Sequence, residues 1–388
     1  MKVLIAAAAF SSEMSGVQRH AFNVARSLLL HRETRAVYLA VAPWQRRIAE
    51  DIASHADERL VIHAAEMSKS SIGRNSWYYR HLPELARALD VDAVHLSYPA
   101  PVSAKRFHCP VAVTLHDMYP YEIPENFGFP KHLVNRAILR QCLNEVDGIA
   151  CVSEATRKRL REYLPARLEE KTVCIPNCVL PMPEPVQPAA TGWRSEPFML
   201  CVAQHRRNKN IPLLLGSFAR LVRAERVDAR MRLLVIGIPG PETKRIHRAV
   251  VEYGLDGRVS FLSGLSEPEL HWCYANCEAL VAPSSTEGFG FPVAEGLLAG
   301  SRVVCSEIVA HREIGAGRCH FVSLRGGTES ALADAICAAL REARPEPVSL
   351  PQFSAEVIGR QYLRFYRSLM EARVIESRRG LGIEVRGA

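Results

Sequence analysis

The sequence predicts two α/β domains, each built on a parallel sheet and joined by a proline-rich linker. Three observations point there. Short apolar runs of strand length alternate with longer stretches of helical periodicity along most of the chain, the pattern of parallel strands covered on both faces. Residues 181–196, "PMPEPVQPAATGWRSE", break that alternation with four prolines and little periodicity, which marks a linker. The length of 388 residues also exceeds what one ordinary core accommodates.

The elements follow in order. "MKVLIAAAAF" carries a lysine and a short apolar run, as a signal peptide would, but "SSEMSG" and a helical pattern follow at once. It reads as a first buried strand. "GVQRHAFNVARSLLLH" reads as a helix, with Val17, Phe22, Val24, Ala25, Leu28 and Leu29 as its apolar positions. "AVYLAVA", "RLVIHAA", "DAVHLSY", "PVAVTLHD" and "GIACVS" are further strands. After the linker come "PFMLCVAQ" (strand), "NIPLLLGSFARLVRAE" (helix) and "RLLVIGI" (strand), then a helix through 250. "VSFLSG", a helix, "ALVAPS", a loop and helix, and "RVVCSE" complete the second domain. "FSAEVIGRQYLRFYRSLMEA" is a closing helix with apolar and aromatic positions at helical spacing. The expected boundaries are 1–180 for the N-terminal domain, 181–196 for the linker and 197–352 for the C-terminal domain. A helix at 353–376 crosses back to the first domain, and a tail occupies 377–388.

Composition narrows the function classes. About half of the residues are apolar (48%) and about a quarter charged (23%), a globular balance. No apolar run approaches the roughly 20 residues of a membrane-spanning helix. Eleven cysteines are scattered. Cys174/Cys178 and Cys273/Cys277 lack the partner His or Cys of a zinc site, and free thiols suit a reducing cytoplasm. A net charge of +8 favours nucleotide phosphates or peripheral contact with an anionic membrane surface. Nucleic acid is not expected, because no basic run is interleaved with aromatic residues.

Ligands of parallel α/β sheets sit at the carboxyl ends of the strands, and the distinctive residues fall there. Gly16 follows the first strand, His116-Asp117 ends "VAVTL", "QHRRNK" follows "LCVA", and "STEGFGFPVAEGLLAG" (285–300) follows "ALVAPS". Two glycines and a proline inside a helix would cost several kcal/mol. The last stretch is therefore a loop opening a helix, with Pro292 at or near its first position and Gly300 just past its end. Glu287 lies in the loop and Glu295 in the first turn. Between them the helix-start N–H groups, with Gly288 and Gly290 allowing close approach, form an anion site. Taken alone, the stretch is equally compatible with Glu295 favouring the helix dipole and Glu287 being merely exposed.

These residues resemble a family. "SGVQRHAFNVARSL", "TLHD", "CVSEATRKRL", "IPN", "NKNIPLLLGSF", "FLSGLSEPELHWCYANCEALVAPSSTEGFGFPVAEGLLAG" and "VVCSEIVAHREI" are similar, in this order, to the retaining family-4 glycosyltransferases of the GT-B fold. In that fold two Rossmann-like domains face a cleft. Glu287 and Glu295 match its paired glutamates. The resemblance implies sugar transfer from a nucleotide-diphosphate sugar, with retained anomeric configuration, to a glycan or lipid-linked acceptor in cell-surface polysaccharide or lipopolysaccharide synthesis.

It also implies roles. Glu287 and His116 would lie at the reacting sugar, and Glu295 would accept the ribose hydroxyls. Gly288, Phe289 and Gly290 would hold the diphosphate through their N–H groups, Lys209 would offset its charge, and Gly16 would let the N-terminal loop approach it. Three departures stand out. Gln204 occupies a position often held by arginine, so that Arg206, or else Arg207, reaches the phosphates. Cys178 replaces a glycine after "PN", and Gly296 replaces an alanine. No cofactor and no metal are expected. Asp90-Val-Asp92 resembles the Asp-x-Asp of the other glycosyltransferase fold, but it precedes the strand "AVHL", at the wrong end for a ligand. The alternatives are a non-catalytic sugar-nucleotide binding protein of this fold, or a phosphorylase or epimerase of similar architecture.

Overall fold

A computed structural model describes residues 1–9, 16–53, 57–189, 196–326 and 329–380. The loop before Gly16, part of the proline-rich stretch (190–195) and the tail from 381 lie outside the described residues. The chain divides into two compact units. The first comprises Met1–Tyr121, Phe129–Leu180 and the chain from Pro351 onward; the second comprises Glu122–Gly128 and Pro181–Leu350.

The first unit is built on a seven-stranded sheet in the order β3-β2-β1-β4-β5-β6-β7. Its strands are β1 (Lys2–Ala6), β2 (Ala36–Val41), β3 (Leu60–Ala64), β4 (Ala93–Leu96), β5 (Val111–Leu115), β6 (Gly148–Cys151) and β7 (Thr172–Cys174). The second has six strands in the order β10-β9-β8-β11-β12-β13. These are β8 (Phe198–Val202), β9 (Arg232–Ile236), β10 (Val259–Leu262), β11 (Ala279–Ala282), β12 (Val303–Ser306) and β13 (His320–Val322). Every pairing is parallel. The central strands are buried on both faces, β5 along its whole length, which explains their near-continuous apolar sequences. Of the four edge strands, β7 and β13 have three residues each and escape the sequence reading, because neither forms an apolar run of strand length.

The closing helix Ala355–Gly380 belongs to the first unit. Ile358, Tyr362, Leu363, Phe365, Tyr366 and Leu369 are buried in one cluster with the helix Gly16–Leu29, the i, i+4, i+7 spacing of an amphipathic stripe. The two helices approach closely at Gly359, where a Cβ would lie 2.2 Å from the Ser27 carbonyl oxygen. Only glycine fits there. The early part of the proline-rich stretch is not free of contacts. Val186 N–H donates to the Pro268 carbonyl at 3.0 Å, and the His271 ring donates to that of Pro183, so it runs along the helix Glu267–Asn276 of the second unit.

The Asp-x-Asp sequence has a structural explanation. Asp90 adopts a left-handed φ of 49° and pairs with the Lys2 ammonium at 3.2 Å. The Asp92 carboxylate accepts from Lys2 N–H at 2.7 Å. Both tie the amino end of β4 to β1.

Candidate active site

In the second unit two loops meet at the carboxyl ends of β8 and β11. Asparagines join them. Asn208, buried, donates to the Thr286 carbonyl at 3.2 Å, while its own carbonyl accepts from Ser285 N–H at 2.8 Å. Asn210, at a left-handed φ of 49°, donates to the Pro283 carbonyl at 2.9 Å. Asparagine tolerates that conformation better than most residues. Lys209 lies between these two ties and is thereby carried to the other loop. Its ammonium donates to Glu287 Oε1 at 2.5 Å, with side-chain exposures of 15% and 10%. Burial pushes the Glu287 carboxyl up, but Lys209 and, next, His311 more than offset it, with Ser284 bonding as well, and hold the group below the ordinary carboxylate range. Glu287 is ionised and not merely exposed.

The helix that follows runs from Phe291 to Leu298, with Gly290 as N-cap at φ 107° and Pro292 in its second position. Glu295 is its fifth residue, just beyond the first turn where the sequence reading puts it. Among the described residues the N–H groups of Gly290 and Phe291 have no hydrogen-bond acceptor, the open donors of a helix start. Phe289 is buried, with its ring edge-on to Phe291 at 5.2 Å. Glu295 is 7% exposed and accepts from Tyr274 O–H at 2.7 Å. Tyr274, fully buried on the preceding helix, is a partner that the sequence reading missed.

It also missed His311. This histidine follows β12 and is buried; its Nδ1–H donates to the Ser306 carbonyl at 3.0 Å. Its ring backs onto Gly290, where an added Cβ would lie 3.0 Å from Cδ2. A side chain at 290 would be crowded as well as strained by the positive φ. Burial holds His311 below its ordinary pKa against the pull of Glu287 and of the Ser306 carbonyl. The strand-end rule that selected the other loops applies equally to "EIVAHREI" and was available as a signal.

Of the two arginines, Arg207 pairs with Glu125 at 3.2 Å. Arg206 is half-buried and makes no side-chain hydrogen bond or ion pair among the described residues. Gln204 is half-buried beside them.

Gly16 and His116 belong to the first unit. Gly16 opens its helix and is exposed, and among the described residues nothing lies within 4 Å of an added Cβ. His116 follows β5. Its Nε2–H donates to the Ser97 carbonyl at 2.8 Å, and burial lowers its pKa to about 4. The His20 ring stands edge-on to it at 4.7 Å. Cys178, in place of the family's glycine, is buried, and its carbonyl accepts from Asn23 at 3.1 Å.

Comparisons with known proteins identify the family. Residues 14–181 match the model described as Glycosyltransferase Family 4, and residues 185–346 match that of Glycosyl transferases group 1. The chain is a family-4 glycosyltransferase of the GT-B fold. Among curated proteins this glycosyltransferase is similar to the O-antigen chain mannosyltransferase B of Escherichia coli, 23% identical over 81% of this chain and 84% of the relative. It is 25% identical to the O-antigen chain mannosyltransferase RfbU of Salmonella typhimurium over 52% of this chain and 53% of that protein. The solved structure of WaaG, a glycosyltransferase involved in lipopolysaccharide biosynthesis, shares the fold with a TM-score of 0.64 at 15% identity, covering 96% of this chain and 98% of that one. So does Anabaena Alr3699/HepE in complex with UDP-glucose, with a TM-score of 0.64 at 16% identity over 97% and 100% of the two chains.

Proposed function

We propose that this glycosyltransferase transfers mannose from a nucleotide-diphosphate donor to a glycan or lipid-linked acceptor, with retention and without a metal, in assembly of a cell-surface polysaccharide. The observation that carries this reading is the Lys209–Glu287 pair beside the open N–H groups of Gly290 and Phe291. An ammonium has three protons and Glu287 uses one. The others are preplaced for phosphate oxygens and meet the charge that grows on the departing diphosphate. Arg206 and the helix-start amides add to that cradle, so protein groups supply the positive charge a metal would otherwise bring. Glu295, fixed by Tyr274, accepts the ribose hydroxyls. Glu287 and His116 act at the donor sugar, Gly288 and Phe289 line the diphosphate, and Gly16 admits it near the N-terminal loop. The acceptor hydroxyl attacks the face from which the diphosphate leaves. Mannose is supported by the O-antigen mannosyltransferases among the relatives.

A peripheral membrane contact is supported by the helix Lys131–Glu145. Phe129 (83% exposed), Leu133 and Val134 stand in solvent beside exposed Lys131 and Arg140, apolar and basic together as an anionic bilayer surface requires. No helix among the described residues is long and apolar enough to cross a membrane. The deciding experiment is incubation with GDP-mannose and UDP-glucose in excess EDTA. The proposal expects release of GDP from GDP-mannose; release of UDP from UDP-glucose alone would overturn mannose as the sugar, and binding without turnover would favour a non-catalytic protein.

A further inference from the structure

Beneath His116 lies a buried chain of polar groups that no role above uses. His20 Nδ1 is 2.7 Å from Asn177 Oδ1, and His20 Nε2 is 3.0 Å from Thr114 Oγ1. Thr114 Oγ1 is also 2.9 Å from His95 Nε2 and 3.2 Å from the Tyr362 hydroxyl. His95 Nδ1 is 2.9 Å from the Tyr366 hydroxyl. His20, Thr114, His95, Tyr362 and Tyr366 are all at most 1% exposed.

The protons in this chain have one consistent order. Asn177 Oδ1 only accepts, so His20 donates from Nδ1–H. Burial holds His20 and His95 neutral, His95 with a pKa of about 3. Neutral His20 must then accept at Nε2, and the sole proton of Thr114 Oγ1 goes there. His95 Nε2–H and the Tyr362 hydroxyl must therefore donate to Thr114, and Tyr366 donates to His95 Nδ1. Every one of these atoms is satisfied, and no other order satisfies them all.

The chain is tied to His116 from two sides. Thr114 and His116 alternate on β5 and its extension; His95 and Ser97 alternate on β4 and its extension. Two rungs join these neighbours: His95 to Thr114, and His116 Nε2–H to the Ser97 carbonyl. His20, with both ring nitrogens engaged, has a fixed plane, and its ring packs edge-on against His116. The far end of the chain is anchored by the two tyrosines of the closing helix. We propose that Thr114, His95 and Tyr366 are positioning residues for His116, fixing the His20 ring that packs against it and leaving His116 Nδ1, open among the described residues, as its hydrogen-bond-accepting atom. The proposal rests on the reading of His116 as a group at the donor sugar. A buried polar network is costly unless complete, and when complete it specifies one arrangement. That arrangement lies directly under His116.

Histidine ring ¹⁵N spectra of the full chain test this without relying on catalysis. They should show His20 as the Nδ1–H tautomer and both His95 and His116 as Nε2–H. Thr114→Val should move the His116 ring resonances. It should also lower kcat for acceptor-free GDP-mannose hydrolysis at least tenfold while changing KM less than twofold, and Thr114→Ser should restore both. If Thr114→Val does not fold, Tyr366→Phe carries the same expectation at smaller amplitude. Unmoved His116 resonances in a folded variant, or a serine variant no better than valine, overturn the proposal. If the wild type hydrolyses neither GDP-mannose nor UDP-glucose, the donor reading fails, and the spectra still decide the positioning claim.

Discussion

Replacing Lys209 by methionine isolates the contact on which the active-site reading rests. The substitution keeps an unbranched apolar stem and removes the ammonium, leaving Glu287 with 10% of its side chain exposed and its principal cation gone. Removing one partner of a buried pair costs about 3–5 kcal/mol. The lower end applies here, because His311 and Ser284 remain against the carboxylate and the group can take up a proton. About 3 kcal/mol corresponds to a fall of roughly 6–12 °C in the melting of a unit of this size. Adding Glu287→Gln removes the stranded charge, so the double variant should return to within about 1 kcal/mol of the wild type. Differential scanning calorimetry of the four proteins at pH 7 closes the cycle. Donor affinity should behave differently: it stays lost in the double variant, since the ammonium that meets the diphosphate is absent in both. If Lys209→Met melts within 2 °C of the wild type, or the double variant falls by the sum of the singles, the pair is not the buried contact described above.

Glu295→Ala should weaken binding of the donor nucleotide by roughly 1.5–3 kcal/mol, the worth of a charged acceptor, and calorimetric titration reads this directly. Tyr274→Phe should weaken it in the same direction by releasing the Glu295 carboxylate; unchanged affinity would show that tyrosine to be irrelevant to the site. Turnover should persist in excess EDTA, and loss restored by magnesium or manganese would contradict the assignment of charge neutralisation to Lys209 and Arg206. The first unit should be acid-sensitive. His116 and His95, held at about 4 and about 3, bind fewer protons folded than unfolded below about pH 6.5, so their stabilisation is complete above that pH and drains as pH falls through both values. For His116 alone this amounts to about 3 kcal/mol, measurable as urea midpoints between pH 7 and 4. Phe129→Ser with Leu133→Ser should reduce flotation with phosphatidylglycerol vesicles without changing donor affinity; equal flotation would remove this face from any membrane contact.

The fold was legible because its determinants are local and repetitive. Buried parallel strands must be apolar along their length and their covering helices amphipathic, and both patterns survive in a single sequence. The edge strands β7 and β13 left no such trace. The site was legible where backbone chemistry forces unusual residues: the glycines and Pro292 around Glu287 announce a loop and helix start. Lys209 and Glu287 lie far apart in sequence, and their contact depends on ties through Asn208 and Asn210 that have no periodic signature. Tyr274 was hidden for a related reason. A buried tyrosine on a helix looks like an ordinary core residue until its partner atom, Glu295 Oε2, is known, whereas His311 stands after a strand, where the strand-end rule already pointed. The network under His116 is the extreme case, since its members come from five separate stretches of chain.

The central claim is that the loops after β8 and β11 hold a sugar nucleotide for transfer with retention. Proton NMR of the protein incubated with GDP-mannose, whose sugar is α-linked, tests it most directly. The account predicts that α-mannose appears first, ahead of mutarotation, with release of GDP, and that Glu287→Gln slows this release at least tenfold. First appearance of the β-anomer would contradict retention. Release of GDP at an unchanged rate in Glu287→Gln would contradict the site itself.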